Sequence, residues 1–317
     1  MKKILSIDGG GIRGLIPALV LAHIEEKTKK PVSECFDLIS GTSTGGILAL
    51  GFSKQGEPGQ PKYTARDLAD IYQSRGQEIF PRSLWKGISS VGGLIDELYS
   101  HEGLDRVLDE YFSHDTLGTG LTKTLITSYD IENREPLFFK SWREEFSSVL
   151  MKHAARATSA APTYFEPALI PIGDTVKALV DGGVFINSPS VSAYVEAKKL
   201  FPDEQDFFVL SLGTGELVRK IPHYEAKNWG KAGWLIPLLD CMFDGVADAS
   251  HYQMNMLLDD GYIRLQTSLD TASDDMDNVT DSNIENLKLE ATRLIQAHTD
   301  DLERICKILS QDTLQPV

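Results

Sequence analysis

The sequence predicts an α/β protein: a three-layer sandwich with a mainly parallel central sheet and helices on both faces. Three observations predict it. Apolar runs of strand length alternate with amphipathic stretches of helix length along most of the 317 residues, the order expected of βαβ units. Several strand candidates, such as Phe207-Phe208-Val209-Leu210, are apolar throughout, which suits strands covered on both faces. Glycine-rich turns follow the first two strand candidates directly, and the carboxyl ends of parallel strands are where α/β proteins build sites.

Taken in chain order, the strand at residues 3–7 runs into Asp8 and the turn Gly9-Gly10-Gly11-Ile12-Arg13-Gly14, and a helical pattern follows over 15–28. The strand at 35–40 runs into Gly41-Thr42-Ser43-Thr44-Gly45 and the helix 44–54. Helical patterns at 65–79 and 102–112 precede a strand at 124–129. The helix 147–157 precedes the strand 176–180, which ends at Asp181-Gly182-Gly183. A helix at 190–200 and strands at 206–212 and 262–266 come next. The last pattern, over 284–309, opens on Ser282-x-x-Glu285, the spacing of a capping box. Ile284, Leu287, Leu294, Leu302, Ile305 and Leu309 give it one apolar face, so 284–317 reads as one C-terminal helix packed on the core. No Pro/Gly/Ser linker divides residues 1–269, which read as one domain. Residues 56–62 read as a surface loop. Residues 270–283, rich in Asp and Ser, read as a solvated acidic surface loop without calcium-loop spacing.

A hydrophobic content of 42 % and a charged content of 24 % describe a soluble globular chain. The net charge of −15 argues against a nucleic-acid polymer and against polybasic docking on anionic lipid. Hydrophobic contact with a membrane stays open. Cys35, Cys241 and Cys306 lie far apart with no CxxC pair, so no metal site or disulfide framework is read, only buried reduced thiols. The Met-Lys-Lys-Ile-Leu start is broken too soon for a secretion signal. No apolar run reaches the roughly eighteen residues of a membrane span. The localisation read is cytoplasmic, with transient residence at a membrane surface.

Two turns carry the chemistry. Ser43 lies in a G-x-S-x-G turn between strand and helix, where Gly41 and Gly45 allow a sharp bend and the helix N-terminus favours an anion. Gly9, Gly10 and Gly11 can aim backbone amides at one oxygen, and Arg13 can fix that loop or hold a substrate phosphate. Gly9-x-Gly11-x-x-Gly14 also fits a dinucleotide loop, which makes phosphate or nucleotide binding without ester hydrolysis the alternative function. That reading wants an acid at the end of the next strand, where Ser40-Gly41-Thr42-Ser43 stands instead. Asp181 is the candidate base, on the expectation that its strand, like that of Ser43, points to the carboxyl edge of a parallel sheet. A Ser-Asp-His triad is the competing arrangement, but His223, His251 and His298 sit at no glycine-supported strand end. Two apolar segments could meet lipid: 80–99, with Phe80, Trp85, Ile88, Leu94, Ile95 and Leu98, and 229–243. Core packing is the simpler reading of each; Gly92-Gly93 makes 80–99 the better flap candidate.

As a set, Asp8-Gly-Gly-Gly-Ile-Arg-Gly14, Gly41-Thr-Ser-Thr-Gly45, Asp181-Gly-Gly183, Ala157-Thr-Ser-Ala-Ala-Pro-Thr-Tyr-Phe165 and Ser211-Leu-Gly-Thr-Gly215 resemble the patatin-like phospholipase family over most of residues 3–215. The resemblance implies a Ser-Asp dyad, with Ser43 as nucleophile and Asp181 as proton acceptor. It implies an oxyanion hole in the loop of Gly9, Gly10, Gly11, Arg13 and Gly14, and a nucleophile elbow at Gly41 and Gly45. It implies hydrolysis of acyl esters of membrane phospholipids or other glycerolipids through an acyl-enzyme, with no metal and no cofactor. Some bacterial members resemble regulated effector phospholipases of antiphage signalling activated by a cyclic nucleotide, a role the residues here leave open. A free Asp, with a pKa near 3.9, is a poor base at neutral pH, so burial beside Ser43 is expected to raise it.

Overall fold

β1 (Lys2–Ile7) runs through the middle of the sheet, and its side chains show why. Ile4 faces one apolar cluster while Leu5 and Ile7 face another, so neither side of the strand can meet water. The computed structural model describes residues 1–80 and 100–311. The chain continues through α1 (Leu15–Thr28), α2 (Val32–Cys35), β2 (Leu38–Gly41), α3 (Thr44–Ser53), α4 (Ala65–Ile79) and α5 (Glu102–Phe112). Next come β3 (Lys123–Asp130), β4 (Glu135–Lys140), α6 (Glu144–Ser147), α7 (Met151–Thr158), β5 (Ala168–Ile172) and β6 (Thr175–Asp181). Then follow α8 (Ser190–Leu200), β7 (Phe207–Leu212), α9 (His223–Ala226), α10 (Lys231–Leu258), β8 (Tyr262–Leu265), α11 (Asp281–Ala297) and α12 (Thr299–Ser310).

The strands lie in the order β5-β6-β3-β2-β1-β7-β8, with β4 also against β3. β3, β2, β1, β7 and β8 are parallel neighbours, and every pairing of β4, β5 or β6 is antiparallel. The larger apolar cluster holds Leu21, Leu48, Leu68, Leu287 and Ile305, so α1, α3, α4, α11 and α12 cover one face. Ala193, Ala197 and Met254 meet Ile4, Leu38 and Val209 on the other, where α8 and α10 form a thinner layer. The α/β sandwich with a mainly parallel sheet is therefore present. Among the described residues no helix is long and apolar enough to cross a membrane.

Several elements differ from the sequence expectation. β4 and β5 form hairpins with β3 and β6, and their mixed patterns hide them: the exposed positions of β5 include Leu169 and Pro171. The stretch 229–243, an interfacial candidate, belongs mostly to the long helix α10, which carries Pro237 in its interior. The flap candidate 80–99 lies outside the described residues from 81 onward. The pattern read as one helix over 147–157 is α6, a break, and α7. The C-terminal pattern is two helices broken at His298, and the side chain of Thr280, not Ser282, accepts the cap bond from the Asn283 amide. The apolar face continues from Leu294 to Leu302 across the break, so periodicity alone does not reveal it. Cys35 is buried and Cys306 half-buried, but Cys241 is exposed, which corrects the reading of all three thiols as buried.

One buried acid organises the antiparallel corner. Asp130 accepts from the amides of Glu132 and Asn133 and from Nζ of Lys177 at 2.7 Å. Burial alone would raise its pKa, but the bonds from Lys177 and Asn133 outweigh burial and hold it down at about 2. Asp130→Ala should lower stability by roughly 2–3 kcal/mol at pH 7, read as a shift in denaturant midpoint. Because the carboxyl is depressed in the folded state, the wild-type advantage should be full above about pH 4 and vanish as pH falls through 2.

Candidate active site

Ser43 begins where β2 ends, and its backbone is forced into φ 55°, ψ −124°, a conformation that costs a non-glycine residue roughly 1–3 kcal/mol. The neighbours hold it there. The Ser43 amide donates to Oγ1 of Thr158 at 2.9 Å, the Thr42 amide to the Ile7 carbonyl at 3.2 Å, and the Ile47 amide to the Ser43 carbonyl at 3.1 Å. The start of α3 is pressed so closely on the end of β1 that a β-carbon at Gly45 would lie 2.2 Å from the Ile7 carbonyl oxygen. Gly41 is the last residue of β2 and meets the Gly45 carbonyl in the same way.

Asp181 reaches the same place by an unexpected route. Sequence reasoning puts it at the carboxyl rim by assuming a parallel strand, but β6 runs antiparallel to β3. Asp181 stands level with Ser128 of β3, two residues beyond Ile126, the partner of Gly41. It comes to the rim because β6 stops there. Its carboxylate is 1 % exposed and accepts from the Ser43 hydroxyl and, at 2.8 Å, from the Gly183 amide. Burial, only partly offset by those two bonds, pushes its pKa up to about 7.

The glycine loop after β1 does not act as one unit. Gly10 and Gly11 line the cavity that holds Ser43 and Asp181, and their amides have no acceptor among the described residues. The Gly9 amide is already used, donating to the Asn187 carbonyl at 3.2 Å. Gly14 packs against Thr44 and Tyr72 instead of facing the cavity. Arg13 lies behind the loop, where its Nε donates to the Gly10 carbonyl at 3.2 Å. Gly11 has φ +58°, and a β-carbon there would strike the Met276 carbonyl oxygen, which already accepts from the Ile12 amide at 2.8 Å. The acidic stretch after β8 therefore buttresses the loop, with Met276 and Val279 buried against it.

Most of the cavity wall is apolar: Ile12, Ile47, Ile79, Leu104 and the ring pair Phe80–Phe165, 5.8 Å apart, form it, with Thr44, Ser159 and Asn187 adding polar groups beside Ser43 and Asp181. His223 starts α9, His251 stacks on Tyr262, and His298 bonds Asp301; none lines the cavity. Among the described residues no cluster of three or more His, Cys, Asp or Glu could hold a metal ion. Sequence reasoning missed Thr158, Asn187, Thr214 and Arg264. Thr214 Oγ1 donates to the Gly9 carbonyl at 2.6 Å, and Arg264 pairs with buried Asp8 at 2.8 Å while also donating to Ser211. Thr158 and Thr214 lie inside the quoted stretches 157–165 and 211–215, which signalled them without a role; nothing local marked Arg264.

The family sequence model described as "Patatin-like phospholipase" matches residues 5–194. The chain belongs to the patatin-like phospholipase family. It is an enzyme of the lipid acyl hydrolase class, and its substrates are lipids. Among similar proteins, Patatin-like protein 4 of Arabidopsis thaliana is 30 % identical over 94 % of this chain and 84 % of its own. Patatin group M-3 of Solanum tuberosum is 29 % identical over 98 % and 90 %. VipD from Legionella pneumophila aligns in structure at TM-score 0.44 and 10 % identity over 94 % of this chain and 67 % of its own. The patatin-like match spans both glycine turns and Asp181 but ends before Thr214, Arg264 and Met276, so the buttress of the glycine loop comes from outside the matched stretch.

Gly45→Ala should cost more than about 3 kcal/mol of stability, since backbone cannot move aside as a side chain can. Gly245→Ala, in α10 with open space around it, should add about 0.5–1 kcal/mol. Thermal unfolding of both variants checks the contrast.

Proposed function

We propose that the protein cleaves acyl esters of phospholipids or related glycerolipids through a Ser43–Asp181 dyad. The Ser43 hydroxyl oxygen attacks the acyl carbonyl carbon as its proton passes to the Asp181 carboxylate. The amides of Gly10 and Gly11 take the negative charge on the carbonyl oxygen, each such donor being worth roughly 2.7–4 kcal/mol in the transition state. Collapse of the tetrahedral species breaks the bond to the lipid alcohol, which leaves with the proton from Asp181. Water then attacks the acyl-Ser43 ester, giving its proton to Asp181, and the fatty acid departs as the serine is restored. The acyl chain lies along the apolar walls of Ile47, Ile79 and Leu104. With a charge of −15 the protein works at neutral or zwitterionic lipid surfaces rather than anionic ones.

One observation carries this reading: the Ser43 hydroxyl is hydrogen-bonded to a carboxylate whose burial lifts its pKa to about 7, which turns a weak base into one matched to neutral pH.

Turnover of a chromogenic short-chain ester and of phospholipid micelles tests it. Ser43→Ala and Asp181→Asn should each lose at least roughly 10³-fold in kcat/KM; wild-type turnover in either variant removes that residue from the mechanism. Since the base must be ionised, kcat/KM should rise about tenfold per pH unit below 7 and flatten above it. The same shift acts on stability with the opposite sense. The folded protein holds the Asp181 proton more tightly than the unfolded chain, so stability falls as pH rises from about 4 to 7 and stays low above. Asp181→Asn should therefore be more stable than wild type at pH 8 by on the order of 2–4 kcal/mol, seen as a higher unfolding temperature, and show no such gain at pH 4.

A further inference from the structure

Behind the glycine loop lies a second cavity, of about 220 Å³, sharing Asn187 and Phe243 with the catalytic one. Its floor carries two guanidiniums, Arg13 and Arg264, and the buried carboxylate of Asp8, whose Oδ1 has no hydrogen-bond partner among the described residues. Arg13 lines it and is 6 % exposed; its Nε is bonded to the Gly10 carbonyl, but its Nη1 has no hydrogen-bond partner among the described residues. Arg264, the other guanidinium in the lining, is already committed to Asp8 and Ser211. A buried guanidinium nitrogen without an acceptor is unstable by itself and calls for an anion. The rim is anionic: Glu216, Asp244 and Asp248 are exposed residues of the same lining, and the charge of Asp244 also acts on Arg13 without a hydrogen bond to it. Three carboxylates at the mouth repel a simple anion. A ligand that satisfies both levels carries a negative group inside and a positive group outside.

Asn187 and Phe243 line both cavities, so the two adjoin, and a phospholipid carries its phosphate and headgroup a few bonds from its acyl esters. The kind of cation follows from the lining. Quaternary ammonium groups are held on aromatic faces, and Phe243 is the one aromatic residue among the described lining. Carboxylates instead accept hydrogen bonds from a primary ammonium. We propose that this cavity binds the phosphoethanolamine headgroup of the lipid substrate, with the phosphate on Arg13 and the ammonium among Glu216, Asp244 and Asp248. The proposal rests on the acyl-hydrolase reading above and selects the substrate class for it.

Hydrolysis is compared on neutral-detergent micelles carrying phosphatidylethanolamine, phosphatidylcholine or phosphatidylglycerol with matched acyl chains. Wild type should prefer phosphatidylethanolamine, and Asp244→Asn with Asp248→Asn should lower the ethanolamine-to-glycerol ratio of kcat/KM by about fivefold or more. A merely structural defect would lower all three rates together and leave that ratio unchanged. Equal wild-type rates on the three lipids, or a ratio the double substitution does not move, overturn the proposal while ester hydrolysis stands. If wild type cleaves no ester, the hydrolase reading fails, and titration with glycerophosphoethanolamine decides the site. Saturable binding abolished by Arg13→Met upholds the site, and no binding overturns it. Tighter binding of that free diester than of phosphatidylethanolamine micelles overturns the lipid as occupant.

Discussion

Keeping water from one carboxylate is the constraint on which the site depends. Asp181 is almost fully buried, and its partners are a hydroxyl and an amide rather than a cation. A paired aspartate, such as Asp130 with Lys177, is held acidic and inert, whereas an unpaired buried one is held ready to take a proton. That readiness costs folding free energy, and so does the backbone of Ser43 beside it. Two apolar clusters, one on each face of the sheet, provide the surplus that makes both tolerable.

The parallel strands bring the parts together. β1 and β2 end side by side, Ile7 level with Gly41, so the amides of one turn and the hydroxyl of the other share an edge. The glycines allow contacts that a β-carbon would block, and the glycine loop is clamped from several sides. Asn187 takes the Gly9 amide, Thr214 donates to the Gly9 carbonyl, Met276 takes the Ile12 amide and Arg264 pairs with Asp8. The cavity of Ser43 and Asp181 on one side of the loop is mostly apolar, and the cavity on the other is charged. The proposed headgroup site rests on that division, since an amphipathic lipid has an apolar and a charged end.

Much of this was legible in the linear order of residues. The alternation of β1, α1, β2 and α3 shows as apolar runs broken by glycine, and the G-x-S-x-G turn marks the strained serine because its geometry needs small neighbours. Asp181 could be singled out by its glycine turn, although the reason given for its position was wrong: β6 is antiparallel, and strand direction is a matter of pairing that a strand's own residues do not encode. The hairpin strands β4 and β5, the long helix α10 and the break at His298 were hidden for a related cause. Each is settled by what it packs against, and local pattern is a weak guide to that.

The sequence by itself determined the fold class, the family and the two turns, because glycine, serine and apolar period act locally and leave a local trace. Only the tertiary structure decided that the Gly9 amide is used, that Arg264 holds Asp8 and, among the described residues, which amides of the glycine loop have no acceptor and that one nitrogen of Arg13 has no partner. Those are statements about distance and water between residues up to 256 positions apart, and a chain acquires them only when it closes on itself.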